Sequence, residues 1–302
     1  MNIDKDSWNT IVINNNGSPL HAWEWVQSKE LAGIKVKWFL LDDDKATVAV
    51  PIFIEYKIIG WIPHGIPYKG DIDHIKLKLK SFFLRNGIIG VITSYYNFVK
   101  CDELINKFVK INIKNNQETF ILNIDSKNDE QLFNKFNSTT KKHIKKTYRL
   151  NFHCENFNDN DFVAFWNYYK KFNIERNFKS PTNNKIFNNL VELVTNNDND
   201  YSLKFIAKKG IYEQNQGGYI IVLTMGNRAH EYLRFSTKEY KNLQGGDKAL
   251  TWEVLKECMN SKCKLYDFGG VKKNSQPGIF NFKRGFGGEH ILASDYKVML
   301  TL

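Results

Sequence analysis

The reading of this chain turns on residues 265–289, LYDFGGVKKNSQPGIFNFKRGFGGE. A short apolar run over 264–268 carries Asp267 and stops at the pair Gly269-Gly270. A polar loop with Pro277 follows, then Gly278-Ile279-Phe280-Asn281-Phe282-Lys283 and a second glycine-rich turn over 285–288. A buried strand therefore ends where backbone must come close to something, because paired glycines admit positive φ and leave room for a ligand to approach the main chain. Lys283 and Arg284 set two fixed cations beside that opening. The plainer alternative is a strand, a surface turn and a solvated basic pair.

The chain around this stretch is long enough for two cores. Its 302 residues exceed what one hydrophobic core comfortably serves. A hydrophobic content of 42% with 14% aromatic residues excludes a disordered chain, despite the many Asn and Lys. Lys and Arg number 43 against 32 Asp and Glu, a net charge of +11. That balance favours a polyanionic partner: RNA, a phosphorylated substrate or an anionic membrane surface. Cys101, Cys154, Cys258 and Cys263 show neither CxxC spacing nor a nearby His pair, so no metal site or redox motif is expected. The first residues lack a signal-peptide pattern, and no apolar run reaches the ~18 residues a spanning helix needs. The expectation is a soluble cytoplasmic protein, with peripheral contact at a membrane left open by the charge.

Along the chain, a short strand is expected over 10–13, a turn at Asn15-Asn16-Gly17, and a helix built on Leu20, Trp23 and Val26. Strands over 34–41 and 46–56 flank Asp42-Asp43-Asp44-Lys45 as a hairpin, and 57–62 leads into the loop PHGIPYKG. A helix over 72–86, a strand over 87–93, a helix over 101–109 and a strand over 118–124 complete an α/β pattern with a mostly antiparallel start. The polar segment 125–128 marks the domain boundary, giving domains 1–125 and 126–291, with a last strand near 292–302 able to return to the first.

In the second domain, 139–150 carries Lys141, Lys142, Lys145, Lys146 and Arg149 around Ile144 and Tyr148. Helical spacing gathers most of these cations on one side, either as an anion-attracting field or as a solvated face. Phe162, Phe165, Trp166, Tyr169 and Phe172 follow helical spacing and read as core, in preference to a stacking platform for bases. After a helix over 184–194, strands are expected over 202–207, 218–224 and 229–235. Gly245-Gly246-Asp247 then opens a helix on Leu250, Val254, Leu255 and Met259, with Asp247 as N-cap. A glycine pair at a helix start exposes N–H groups at the positive end of the dipole, a place to hold a phosphate, although such glycines are commonly structural.

The strand over 229–235, the glycine turn, the helix with Trp252, then Tyr266-Asp267-Phe268-Gly269-Gly270 and, thirteen residues on, Phe282-Lys283, resemble the second half of the Fem-type (FemABX) aminoacyl-tRNA-dependent transferases of the GNAT-like superfamily. The resemblance covers residues 129–289, including the basic helix and Glu175-Arg176, and the first domain looks like the matching one more loosely. It implies an α/β fold with mixed sheets, in two tandem GNAT-like acyltransferase domains with a cleft between them. It also implies that Lys283 contacts substrate phosphates. Arg284, Arg176 and Lys179 are candidates for the same phosphates, and Gly245, Gly246, Lys141, Lys142 and Lys145 for binding the donor. Two departures concern the acceptor. Relatives have an arginine just before the proline where this chain has Lys179-Ser180-Pro181, and a tyrosine where it has Glu231. The acyl-CoA signature Q/RxxGxG/A is half met by Asn242-Leu243-Gln244-Gly245-Gly246.

Transfer of an acyl group to an amine needs a deprotonated nucleophile, donors for the oxyanion and a proton for the leaving group. No Ser–His–Asp or Cys–His order is evident, which points to direct attack without a covalent intermediate. On the strand over 229–235, either Glu231 or the pair His230 and Tyr232 faces the cleft. Glu231 is the first candidate for base or ammonium positioning, as a partly buried carboxylate with raised pKa; the alternative is a surface-edge pair with Arg234 or Lys204. Asp267 is expected to orient the loop after its strand. The function expected is transfer of an aminoacyl group from aminoacyl-tRNA to an amine of a phosphate-bearing envelope precursor, with no cofactor beyond the co-substrate. Two alternatives stay open: an acyl-CoA-dependent N-acyltransferase acting on an amino sugar, and a non-catalytic RNA- or membrane-surface-binding protein.

Overall fold

A computed structural model describes residues 3–300 apart from positions 56, 95–101, 106, 108, 114–116, 127, 176–179, 181, 198, 213–214, 238–239 and 241–242. The chain opens with helices α1 (Lys5–Asn14) and α2 (Trp23–Leu31), joined through a 3-10 turn at Pro19–His21. The strand expected over 10–13 is part of α1. Its β-branched residues favour extended chain, but Asp4 caps the helix by accepting from the Ser7 N–H at 2.9 Å, and Trp8, Ile11 and Val12, at i, i+3 and i+4, are all buried. Burial of one helical face outweighs local preference.

Next come β1 (Val36–Asp42), β2 (Ala46–Glu55), β3 (Ile59–Ile62), β4 (Tyr68–Gly70), α3 (Ile72–Arg85), β5 (Gly90–Thr93), α4 (Asp102–Ile105) and β6 (Val109–Ile113). The acidic turn between β1 and β2 is held by Asp43, whose Oδ1 accepts from the Lys45 and Ala46 N–H groups. Helix α3 starts where Asp71 accepts from the Asp73 and His74 N–H groups, and it buries Ile75, Leu79 and Phe83 at four-residue intervals.

The remaining elements are β7 (Glu118–Asn123), α5 (Asp129–Asn134), α6 (Ser138–Tyr148), β8 (His153–Asn156), α7 (Asp159–Glu175), α8 (Asn184–Thr195), β9 (Lys204–Tyr212), β10 (Asn215–Met225), β11 (Arg228–Ser236), α9 (Gly246–Asn260), β12 (Leu265–Asp267), α10 (Pro277–Arg284), β13 (Glu289–Leu292) and β14 (Tyr296–Leu300). Asp247 lies in the first turn of α9 and not at its cap, which is Gly245 in the left-handed conformation. On α7, Phe162, Phe165, Trp166 and Tyr169 are buried, as a core stripe should be.

The chain forms two compact units, one of Met1–Glu118, Asn188–Leu203 and Ile291–Leu302, the other of Thr119–Phe187 and Lys204–His290. Each contains a seven-stranded mixed sheet, and the two repeat one plan. The first runs β1-β2-β3-β5-β14-β6, with β4 added on β2; the second runs β9-β10-β11-β12-β7-β13, with β8 added beside β9. The third and fourth strands of each series pair in parallel, β3 with β5 and β11 with β12, and a helix, α3 or α9, lies in the crossover between them. The fifth place is taken by β14 in the first sheet and β7 in the second. Phe39, Val48, Ile52, Leu79, Phe83 and Met299 belong to the core of the first unit; Leu122, Ile220, Val222, Trp252, Leu255 and Tyr266 belong to that of the second.

Candidate active site in the second unit

The parallel pairing of β11 with β12 ends at His230 and Asp267, while β11 continues to Ser236. Beyond that point the loop after β12 lies against β11. Gly269 has φ +70, and a Cβ there would stand 3.1 Å from the Glu231 carbonyl oxygen, so the close approach requires glycine.

Strand β11 is not regular at this point. Its register with β10 passes from Val222–Glu231 to Ile221–Leu233, leaving Tyr232 as the extra residue of a bulge. In a regular strand residues three apart point to opposite faces. The bulge instead brings Glu231 and Arg234 to one face, with Val222, Ile220 and the neighbouring Tyr266. The Arg234 Nε and Nη2 donate to Glu231 Oε1 and Oε2 at 2.8 and 3.0 Å, and the Tyr266 hydroxyl donates to Oε2 at 2.9 Å. Arg234 Nη2 also donates to Thr251 Oγ1 on α9 at 2.8 Å, and the Phe282 ring lies 5.0 Å from the guanidinium carbon. The buried Nη1 has no hydrogen-bond partner among the described residues.

This corrects two expectations for Glu231. It is paired with Arg234, but in the interior and not at a surface edge. Burial by itself would raise its pKa, yet the charge and hydrogen bonds of Arg234, the charge of Lys283 and the Tyr266 hydroxyl hold it below the ordinary carboxylate value. A carboxylate so committed is a poor proton acceptor.

The opposite face of the sheet carries a second network. Asp267 is 7% exposed. Its Oδ1 accepts from Thr119 Oγ1 at 2.6 Å and from the Gly269 N–H at 2.8 Å, and its Oδ2 lies 3.1 Å from His230 Nδ1. Asp267 thus fixes the loop after its strand. The two networks meet at Gly269, whose carbonyl lies 2.8 Å from Thr119 Oγ1 and 2.8 Å from Lys283 Nζ. Lys283 is only 6% exposed and donates to Gly270 O as well, at 3.0 Å. Burial lowers its pKa, with Glu231 and Asp267 pulling it back up. Two of its three ammonium hydrogens therefore hold the glycine pair, and the third has no partner among the described residues.

The other expected residues are distributed as follows. Arg284 is exposed, its guanidinium carbon 6.0 Å from the Phe280 ring centre. Arg176 and Lys179 lie outside the described residues. Tyr232 hydrogen-bonds Thr182, and burial raises its pKa. Gly245 has φ +106, and a Cβ there would meet Thr147 Oγ1 at 2.8 Å and the His143 carbonyl at 2.9 Å, so this glycine lets the start of α9 pack on α6. Gly246 is packed against Leu243 and the Tyr240 ring, and its N–H is bonded to the Leu243 carbonyl. On α6, Thr140, Ile144 and Thr147 are buried, while Lys142, Lys145, Lys146 and Arg149 are exposed and Lys141 is partly so. Burial and the charges of Lys248, Lys146 and Lys142 push the His143 pKa down.

Sequence reasoning named Arg234 as one alternative partner of Glu231, but it missed Tyr266 on the same carboxylate, Thr251 on Arg234, and the coupling of Thr119 and His230 to Asp267. Only the odd spacing of Glu231 and Arg234 on one strand hinted at a bulge.

Residues 204–292, which hold Glu231, Arg234, Asp267, Gly269 and Lys283, match the model of the FemAB family. No curated protein matches the sequence. Among solved structures the chain is similar to FemX, at 13% identity and TM-score 0.79 over 99% of this chain and 96% of that one. It is similar to L-PGS from Bacillus licheniformis, at 12% identity and TM-score 0.58 over 98% and 91%. A tandem GNAT protein from the clavulanic acid biosynthesis pathway matches at 6% identity and TM-score 0.53 over 92% and 94%. These likenesses are of fold. The repeated sheets and the match of residues 204–292 to the FemAB family agree with these likenesses: the fold is similar to those of FemX and the tandem GNAT protein. No described helix is long and apolar enough to cross a membrane.

Proposed function

We propose that this protein moves an aminoacyl group from aminoacyl-tRNA to an amine of a phosphate-bearing cell-envelope precursor, lipid-linked or nucleotide-linked. The observation that carries the reading is Lys283. Within the segment that matches the FemAB family, a buried ammonium braces the glycine pair at the open end of β12 and keeps one donor in hand. Arg234 Nη1 is a second buried donor, with no partner among the described residues, on the guanidinium that lies against the Phe282 ring next to Lys283 in sequence. Two cations in a poorly hydrated place suit a phosphate or a developing oxyanion far better than the same groups would in water. The exposed lysines of α6 supply the field that a tRNA backbone would meet. The structures named FemX and L-PGS support this reading through the shared fold.

In the reaction the acceptor amine attacks the ester carbonyl of the donor directly. The new C–N bond forms as the C–O bond to the ribose breaks, and the amine proton passes to the leaving oxygen. The test is to incubate the protein with charged total tRNA, or with a panel of acyl-CoA thioesters, plus nucleotide-linked and lipid-linked peptidoglycan precursors, and to weigh the products. An aminoacyl mass added to a precursor and abolished by RNase is expected. A mass gained only from acyl-CoA, or none from any donor, would overturn the proposal.

A further inference from the structure

We infer that the outward face of α3, with the turn beside its C-terminal end, docks on the surface of an anionic membrane. Helix α3 is apolar on two sides. Ile75, Leu79 and Phe83 are buried in the core of the first unit, as an amphipathic helix requires. Leu77 and Leu84 stand on the side turned away from them and are 67% and 64% exposed. Seven residues make nearly two turns, so the two leucines lie in line about 10.5 Å apart along the axis. Two isoleucines add to them at the end of the helix. The Gly87 N–H donates to the Leu84 carbonyl at 3.1 Å, and the Ile89 N–H donates to the Ile58 carbonyl at 2.9 Å, which joins the start of β5 to the turn before β3. Ile58 and Ile89 are 43% and 52% exposed. Single exposed aliphatic residues are ordinary on a protein surface; four gathered on one helix and the turn it ends in are not.

Charge decides the kind of partner. Beyond its first turn α3 carries Lys76, Lys78, Lys80 and Arg85 and no acid, and its one acid, Asp73, is paired with Lys107. Helical spacing puts Lys76 and Lys80 on one flank of the leucine ridge and Lys78 and Arg85 on the other. Lys57, exposed in the turn, precedes Ile58. Interfaces between proteins are depleted in lysine and anchored by aromatic residues or arginine seated in pockets, whereas this ridge is convex, aliphatic and flanked by lysine. A bilayer suits it: the leucines enter the boundary between headgroups and acyl chains while the cations meet anionic headgroups. The inference stands apart from the transfer reading, since docking needs neither donor nor acceptor. It rests on that reading only in favouring the lipid-linked acceptor over the nucleotide-linked one.

Sucrose-loaded vesicles of phosphatidylglycerol and phosphatidylcholine in equal parts, sedimented with the full chain, test this. Wild type should pellet with them and stay in solution with phosphatidylcholine alone. L77S/L84S changes two exposed positions, so circular dichroism and melting should be unchanged while partition weakens by at least about tenfold. K78E/R85E should weaken it as much at low salt. L77F/L84F keeps the apolar ridge and should bind at least as tightly as wild type, which separates loss of the ridge from loss of the fold. Wild type that stays in solution with the anionic vesicles would overturn the inference. Binding by L77S/L84S within about threefold of wild type would do so too, because the attraction would then belong to the net charge of +11 alone. So would self-association of the wild type without vesicles that L77S/L84S abolishes, since a second copy would then cover the ridge. Absence of transfer from every donor would sink the proposed reaction and leave the vesicle result standing.

Discussion

Glu231 and Arg234 show how a single extra residue decides what a side chain can do. Without the bulge at Tyr232 the two would point to opposite faces, and each would be a lone charge in a half-buried strand. Paired, they are costly to separate. Glu231→Gln leaves the guanidinium uncompensated and should lower stability by about 3 kcal/mol in urea unfolding, whereas replacing both with apolar residues of similar volume should recover much of that loss. The pH dependence follows the same pair. Glu231 has a folded pKa below its unfolded value near ~4.3, so its contribution is present above that value and is lost as pH falls through the folded pKa. Unfolding midpoints measured from neutral pH down to acid should show a steeper fall in wild type than in the apolar double variant. Lys283 works with the opposite sign. Its folded pKa is depressed by burial, so the cost of its charge is present at neutral pH and is relieved only as pH rises towards that of a free lysine.

At the scale of elements, the glycines of the two candidate anion sites do different work. Gly245→Ala forces a Cβ into α6 at a left-handed residue and should cost about 1–3 kcal/mol in melting experiments. Gly270→Ala meets no atom within 4 Å and should leave stability unchanged. The helix start was legible as a place for glycine, but its reason, close packing of α9 on α6, depends on residues a hundred positions apart and could not be read locally. For α6 the exposed face of Lys142, Lys145, Lys146 and Arg149 was visible in the spacing, because solvent exposure follows from helical period. Reversing Lys142 and Lys146 to glutamate should weaken tRNA binding by at least about tenfold at low salt and flatten its salt dependence, measured by filter binding at several ionic strengths.

For the whole molecule, the two sheets repeat one strand order, and each fifth place is filled by a strand from elsewhere in the sequence. The alternation of helices and strands announced an α/β chain, and YDFGG and FK lie inside the segment that matches the FemAB family. The strand over 10–13 was misread because β-branched residues carry no mark of the helix cap before them. The meeting of Thr119 with Asp267, 148 residues later, is a property of topology alone. Because β14 lies between β5 and β6, removing residues 294–302 should expose the first unit to protease while the second, whose sheet is complete without them, keeps its protection.

The claim that the glycine loop braced by Lys283 is the working centre of a transferase is met most directly by one rate. Transfer of labelled amino acid from charged tRNA to a peptidoglycan precursor, measured at saturating donor, should fall by about 100-fold in Lys283→Met while circular dichroism shows a folded protein. Full transfer by that variant would contradict the account.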